Sequence, residues 1–234
     1  MIRSVLGELM RRQPLEWCLY ENLRSRFPMI AAIEALQRLR EGNQRFVAEI
    51  RNHKGLTETR RREVAGAQTP FAIILGCSDS RVPAEIVFDQ GLGDLFVIRV
   101  AGNIVAPSQV GSVEFCAARF GTRLVVVLGH SQCGAVEATL KALRRPSSEQ
   151  SQNMGAIVER IRPSVQGLIE TPLAQDKDAL IHHAVRSNVR VSANHLRHGS
   201  TLLAGLIRTD GLLVVGAEYS LDTGVVEFFD GVPA

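Results

Sequence analysis

No stretch of this sequence approaches the roughly eighteen consecutive apolar residues that a membrane-spanning helix requires. The N-terminal residues 1–12 also lack the continuous apolar core of a secretory signal. Both absences lead to the expectation of a cytoplasmic protein. Cysteine is scarce, with four in 234 residues. A chain this long, with many buried-strand patterns, is no disulfide scaffold, and a reducing compartment keeps its thiols free. A dominant charge of one sign is missing as well: the formal net charge is +3. It is unevenly spread. Residues 1–62 hold 13 Lys and Arg against 7 Asp and Glu, and the remainder holds 14 against 17. A basic arm can meet nucleic acid or a membrane surface. Here Glu8, Glu16, Glu21, Glu34, Glu41 and Glu49 interrupt it, which favours a solvated helix face or a subunit contact, and neither nucleic acid nor membrane is expected as a partner. There is no internal repeat and no interdomain linker.

What the sequence does contain is a change of rhythm. Residues 1–30 have weak periodicity and form an extension of uncertain structure. From Ile33 to Ile50 the spacing predicts a helix, with Ile33, Leu36, Leu39, Phe46, Val47 and Ile50 on one apolar stripe and a bend at Gly42-Asn43. A charged helix follows over Thr57–Ala65. Continuous apolar runs then predict buried strands at Phe71–Leu75, Leu95–Val100, Leu124–Leu128 and Leu212–Val215. Helices are expected at Ser112–Phe120, Ala135–Leu143, Ile157–Ile169 and Asp176–Leu196, with a mobile polar loop at Pro146–Asn153. Leu221-Asp222-Thr223-Gly224 reads as a hairpin turn into a last strand, Val225–Phe229. Apolar strands alternating with helices argue for a mainly parallel sheet covered on both faces. The expected fold is a single α/β domain over residues 31–234, with a helical N-terminal arm (31–66) and a C-terminal hairpin strand.

Two clusters carry the chemistry. Cys77-Ser78-Asp79-Ser80-Arg81 follows the first strand, and His130-Ser131-Gln132-Cys133 follows the third. Each comes after a glycine, Gly76 or Gly129, read here as a residue that lets the chain turn. Two thiolates and an imidazole suit zinc, and three protein ligands leave a fourth position for water. Asp79 can bind the metal or act beside it. Cys133 falls near a helix N-terminus, where the positive end of the dipole favours a thiolate. A lone Cys-x-Asp or His-x-x-Cys is a weak signal, but both at strand ends, where open α/β sheets bind ligands, form a strong one. Cys18 and Cys116 read as plain buried thiols. His53, His182, His183, His195 and His198 have no cysteine partners and read as surface or capping residues.

At these residues the sequence resembles a β-class carbonic anhydrase of bacterial type. The resemblance is carried by Gln68-Thr69-Pro70, Cys77–Pro83, Gly93–Arg99, Ala101-Gly102-Asn103 and Gly129–Gly134. Leu39–Phe46 and Val185-Arg186-Ser187-Asn188-Val189 fit as well, so the likeness runs over about residues 31 to 230. It implies one zinc ion per chain on Cys77, His130 and Cys133, and reversible hydration of carbon dioxide to bicarbonate by attack of zinc-bound hydroxide. It implies that Asp79 and Arg81 form a dyad. Paired, Asp79 leaves the metal open; released, Asp79 itself becomes a zinc ligand. It implies a narrow substrate pocket at Gln68, Phe96, Phe115 and Gly134, with Gln68 open to being supplied by a neighbouring subunit. Many relatives carry Tyr at Phe115. Without the family, Phe96 and Phe115 are core aromatics. Some relatives hold an inhibitory bicarbonate near a Trp, an Arg and a Tyr. Arg99 and Tyr219 match two of these positions, but Ile74 stands at the third, so that switch is not expected. A homodimer or homotetramer is implied, with the Ile33–Ile50 stripe against a neighbour. The alternatives are hydrolysis of a related heterocumulene (CS2 or COS) on the same site, or a non-catalytic zinc-binding protein.

Overall fold

The computed structural model describes residues 30–50, 53–144 and 151–233. The extension 1–29, with Trp17 and Cys18, and residues 146–150 of the expected polar loop lie outside the described residues. No helix among the described residues is long and apolar enough to cross a membrane.

Five strands form one sheet in the order β2-β1-β3-β4-β5. They are β1 (Ala72–Gly76), β2 (Leu95–Arg99), β3 (Leu124–His130), β4 (Leu213–Tyr219) and β5 (Val226–Asp230). The first four are parallel neighbours, and β5 returns antiparallel beside β4. The expected hairpin turn is present: Ser220 N–H donates to Val225 O at 2.9 Å, and Gly224 (φ +74°) closes it. The side chains of β1 and β3 are buried throughout, as continuous apolar runs require when helices cover both faces.

Strand alternation divides the core. Ala72, Ile74, Val126 and Leu128 face the first layer, α1 (Ala32–Val47) and the short α3 (Ala84–Val87). Ile73, Leu75, Val125 and Val127 face the other layer, α4 (Pro107–Arg119), α7 (Lys177–His198) and α8 (Thr201–Thr209). A third cluster closes the carboxyl ends of the strands. In it α5 (Gly134–Arg144), α6 (Gln152–Val165) and the start of α7 pack around Cys77 and Cys133. The charged α2 (Glu58–Val64) is capped by Thr57, whose hydroxyl accepts from Arg60 N–H.

Three expectations change. Gly42-Asn43 is no bend: α1 runs through it. A Cβ at residue 42 would overlap Phe88 O, so glycine permits helix and loop to touch. Buried Asn43 donates to Val87 O (3.1 Å) and Gly224 O (2.9 Å) and accepts from Val226 N–H (2.8 Å). Second, the apolar face of α1 is Ala32, Ala35, Leu36 and Leu39, buried on its own sheet, while Ile33, Val47 and Ile50 are exposed. The helix ends at Val47. Third, Gly76 and Gly129 are strand residues rather than turns. Gly129 lets α7 approach: a Cβ there would stand 2.5 Å from Val189 Cγ2.

Candidate metal centre

The chain passes from β1 to β2 on one side and reaches β3 on the other, so the order of the sheet reverses at β1/β3. Crevices at such reversals are where open α/β sheets bind ligands. Gly76 pairs with Leu128 across this boundary, which puts Cys77 and His130 at adjacent strand ends. Between His130 and Cys133 the backbone bends through Gln132 at φ +54°. Ser131 stitches the bend to β4: its N–H donates to Tyr219 O (2.9 Å), and its hydroxyl accepts from Leu221 N–H (2.9 Å). Cys133 then caps α5, its carbonyl accepting from Glu137 N–H at 3.0 Å.

The result is one buried group. The ligand atoms of Cys77, His130 and Cys133 all lie within 4.8 Å of one another. The His130 ring is fixed by Nδ1 against Ser131 O at 2.8 Å, which makes Nδ1 the donor and leaves the lone pair on Nε2. Nε2 is buried and has no hydrogen-bond partner. A buried acceptor is not left bare without cost. A soft divalent cation resolves the orphan and matches two sulfurs and a nitrogen. Contact with Cys133, opposed by burial and aided by His130 and the Gly102 N–H, pulls the Cys77 thiol down to about 4. The same contact pushes Cys133 up.

Asp79 stands beside this group, with Oδ2 3.8 Å from His130 Nε2. Its carboxylate is turned to Arg81, which donates from Nε to Oδ1 (2.9 Å), from Nη2 to Oδ2 (2.8 Å) and from its backbone N–H to Oδ1 (3.0 Å). That fork holds Asp79 well below the usual carboxylate range. Arg99, at the end of β2, ties down the same loop by donating to Cys77 O (3.0 Å) and Asp79 O (2.5 Å). Ile74, at the position expected for Trp in the bicarbonate switch, is fully buried in the sheet.

Gly134 opens α5 beside Cys133, with free space around it. Phe96 pairs with Ile73, four residues before Cys77, or roughly 13 Å along the strand. Its ring meets Phe115 at 6.2 Å between centroids. Phe115 is 50% exposed, so it is no core aromatic. Gln68 is exposed in the segment before β1. Cys116 is a buried thiol, as expected, and burial raises it to about 12. Two contacts were not legible in the sequence: Gly102 N–H donates to Cys77 Sγ (3.3 Å), and Asn188 Nδ2 donates to Gly102 O (2.8 Å). Both residues belong to recognisable motifs, but 86 positions separate them.

Residues 72–226 match the family model described as carbonic anhydrase. The chain belongs to the β-class carbonic anhydrases. It is 37% identical over 199 residues to carbonic anhydrase 2 of Mycobacterium tuberculosis, covering 84% of this chain and 92% of that one. It is 38% identical to a carbonic anhydrase of Mycolicibacterium smegmatis, covering 83% and 92%. Among solved structures, the β-carbonic anhydrase CcaA superposes with a TM-score of 0.67 at 25% identity, over 84% of this chain and 95% of that one. The β-carbonic anhydrase CafA of Aspergillus fumigatus shares the fold, with a TM-score of 0.67 at 22% identity, over 86% and 91%.

Proposed function

We propose that this β-class carbonic anhydrase interconverts carbon dioxide and bicarbonate on one zinc ion held by Cys77, His130 and Cys133. The observation that carries the reading is the buried, partnerless Nε2 of His130 facing two thiols, within a chain of this family. When bound, the ion supplies Lewis acidity that brings the pKa of a coordinated water far below its bulk value.

The chain's own residues do the rest. Arg81 keeps the Asp79 carboxylate ionised and engaged with its own guanidinium, so a fourth position stays open to solvent. Held in that orientation, Asp79 is an acceptor only and can take a hydrogen bond from a water or hydroxide beside His130 Nε2. Release from Arg81 would free the same carboxylate to become a ligand and shut the site.

The substrate side is completed by a second copy of the chain. This is supported by the separation of Phe96 from Cys77 along the strand, by the exposure of Phe115 and Gln68, and by the position of β2 at the sheet edge. We place the enzyme in the cytoplasm, where thiol ligands stay reduced. The test is carbon dioxide hydration by the purified protein with zinc counted per chain, repeated for Asp79→Asn. One zinc per chain with turnover that drops in the variant is the expected result. A folded protein without stoichiometric zinc overturns the reading.

A further inference from the structure

We propose that Asn188 is a positioning residue for the metal centre: it fixes the turn whose Gly102 N–H is donated to the Cys77 thiolate, and thereby sets how much electron density that sulfur offers the ion. The proposal rests on the zinc reading of Cys77, His130 and Cys133.

The turn Ala101–Asn103 follows β2 and closes with Asn103 N–H donating to Val100 O at 3.0 Å. Gly102 takes φ +69°, and a Cβ there would stand 2.7 Å from Ile161 Cδ1 and 3.1 Å from Ala135 Cβ. Only glycine fits, on conformation and on space. Its N–H points at Cys77 Sγ at 3.3 Å, and its carbonyl takes the Asn188 side chain at 2.8 Å. One helical turn further along α7, Ser192 donates to Asn103 O at 3.1 Å. Residues four apart share a helix face, so α7 grips two consecutive carbonyls of the turn.

Asn188 is 2% exposed in the middle of a 22-residue helix. A polar side chain there costs free energy unless its bonds are made, and an apolar one would fill the space without that cost. The donor is therefore what the position requires. A thiolate that accepts an N–H gives up some electron density to it. It donates less to a bound ion, and the ion remains the stronger Lewis acid. Groups outside the ligand shell tune metal sites in this way, typically by roughly 10–100-fold in affinity or rate. A bond that merely stabilised the turn would leave the metal's own properties alone.

Two measurements separate these possibilities. In the wild-type protein loaded with cadmium-113, the Gly102 amide proton should show scalar coupling to the metal, transmitted through the hydrogen bond to Cys77 Sγ. In Asn188→Ala, the sulfur-to-metal charge-transfer band of the cobalt(II)-loaded protein should move to longer wavelength, because a thiolate relieved of its N–H offers the ion more electron density. Ser187→Ala is the matched control. It removes a bond of the same helix, to the Ser164 carbonyl at 2.5 Å, while the Ser164 hydroxyl still donates to Asn188 Oδ1 (3.4 Å) and the turn keeps its grip. It should lower stability and leave the band unchanged. Asn188→Leu keeps roughly the volume but removes the donor, and replaces the alanine variant if that one does not fold. Missing coupling at Gly102, or an Asn188 variant matching Ser187→Ala in its band, overturns the proposal. A protein that takes up no stoichiometric metal at all fails earlier and brings down the zinc reading with it.

Discussion

Arg81 holds both carboxylate oxygens of Asp79, at 2.9 and 2.8 Å, while Asp79 stands 3.8 Å from the His130 nitrogen that has no partner. The carboxylate is near enough to matter at the metal and is held off it by one side chain. Arg81→Lys replaces a flat two-pronged donor with a point charge and loses the matched geometry. The variant is expected to keep one zinc per chain by metal analysis and to lose about 10–100-fold in turnover. Full activity would remove the dyad from the mechanism.

Cys133→Ser exchanges a soft sulfur for a hard oxygen at a ligand position. Loss of a direct ligand should exceed the roughly 10–100-fold penalty of outer-shell changes. Zinc content well below one per chain after dialysis against a weak chelator, with activity falling in proportion, is the expected outcome.

Two thiolates cancel the charge of a divalent ion, whereas three imidazoles leave it intact. Coordinated water here should therefore be less acidic than the pKa of about 7 reached at three-histidine sites. Hydration activity should climb from pH 6 to pH 9 in stopped-flow assays. A flat profile over that range would contradict the thiolate ligand set.

Cys116, sealed between α4 and the sheet, is raised from 9.0 to about 12 by burial. The sign follows from linkage: a thiol whose folded pKa lies above its unfolded one resists ionisation in the native state. Its contribution is complete below about pH 9 and is lost as pH rises towards 12, at about 1.4 kcal/mol per unit. Denaturant melts of wild type and Cys116→Ala should differ in their alkaline slope above pH 9, and Cys116 should resist alkylation in the folded protein.

Gly42→Ala forces a methyl group into the Phe88 carbonyl. Overpacking of this kind costs about 1–3 kcal/mol. Urea unfolding should show the loss without a change in zinc content, since the contact belongs to the α1 layer and Cys77 and Cys133 to the separate cluster at the carboxyl ends of the strands.

The strands and the grouping of Cys77, His130 and Cys133 were legible in the sequence because buried parallel strands are continuous apolar runs, and the cysteine and histidine clusters sit at the ends of two of them. Helix α8 was not. Its apolar residues Leu202, Leu203, Leu206 and Ile207 span little more than a turn and include Gly205, too little for periodicity to register. The start of α4 was hidden because Pro107-Ser108-Gln109 carries no apolar signal, although Pro at the first helical position suits that end. The glycines misled for a shared reason. Gly42, Gly76 and Gly129 resemble breakers in one dimension, yet Gly42 and Gly129 exist because another element passes close by. No local pattern contains that neighbour. The same limit concealed Asn188, whose role depends on a carbonyl brought to it only by the folded sheet.

The three hydrogen bonds of Asn43 have a consequence for biosynthesis. Two of them fasten the first described helix to Gly224 and Val226, 181 and 183 positions further along the chain. On the ribosome those two bonds of Asn43 must wait until the β4–β5 hairpin has emerged, so complete docking of α1 follows synthesis of residue 226. A nascent chain stalled before residue 224 should leave α1 open to limited proteolysis, and release of the finished chain should protect it.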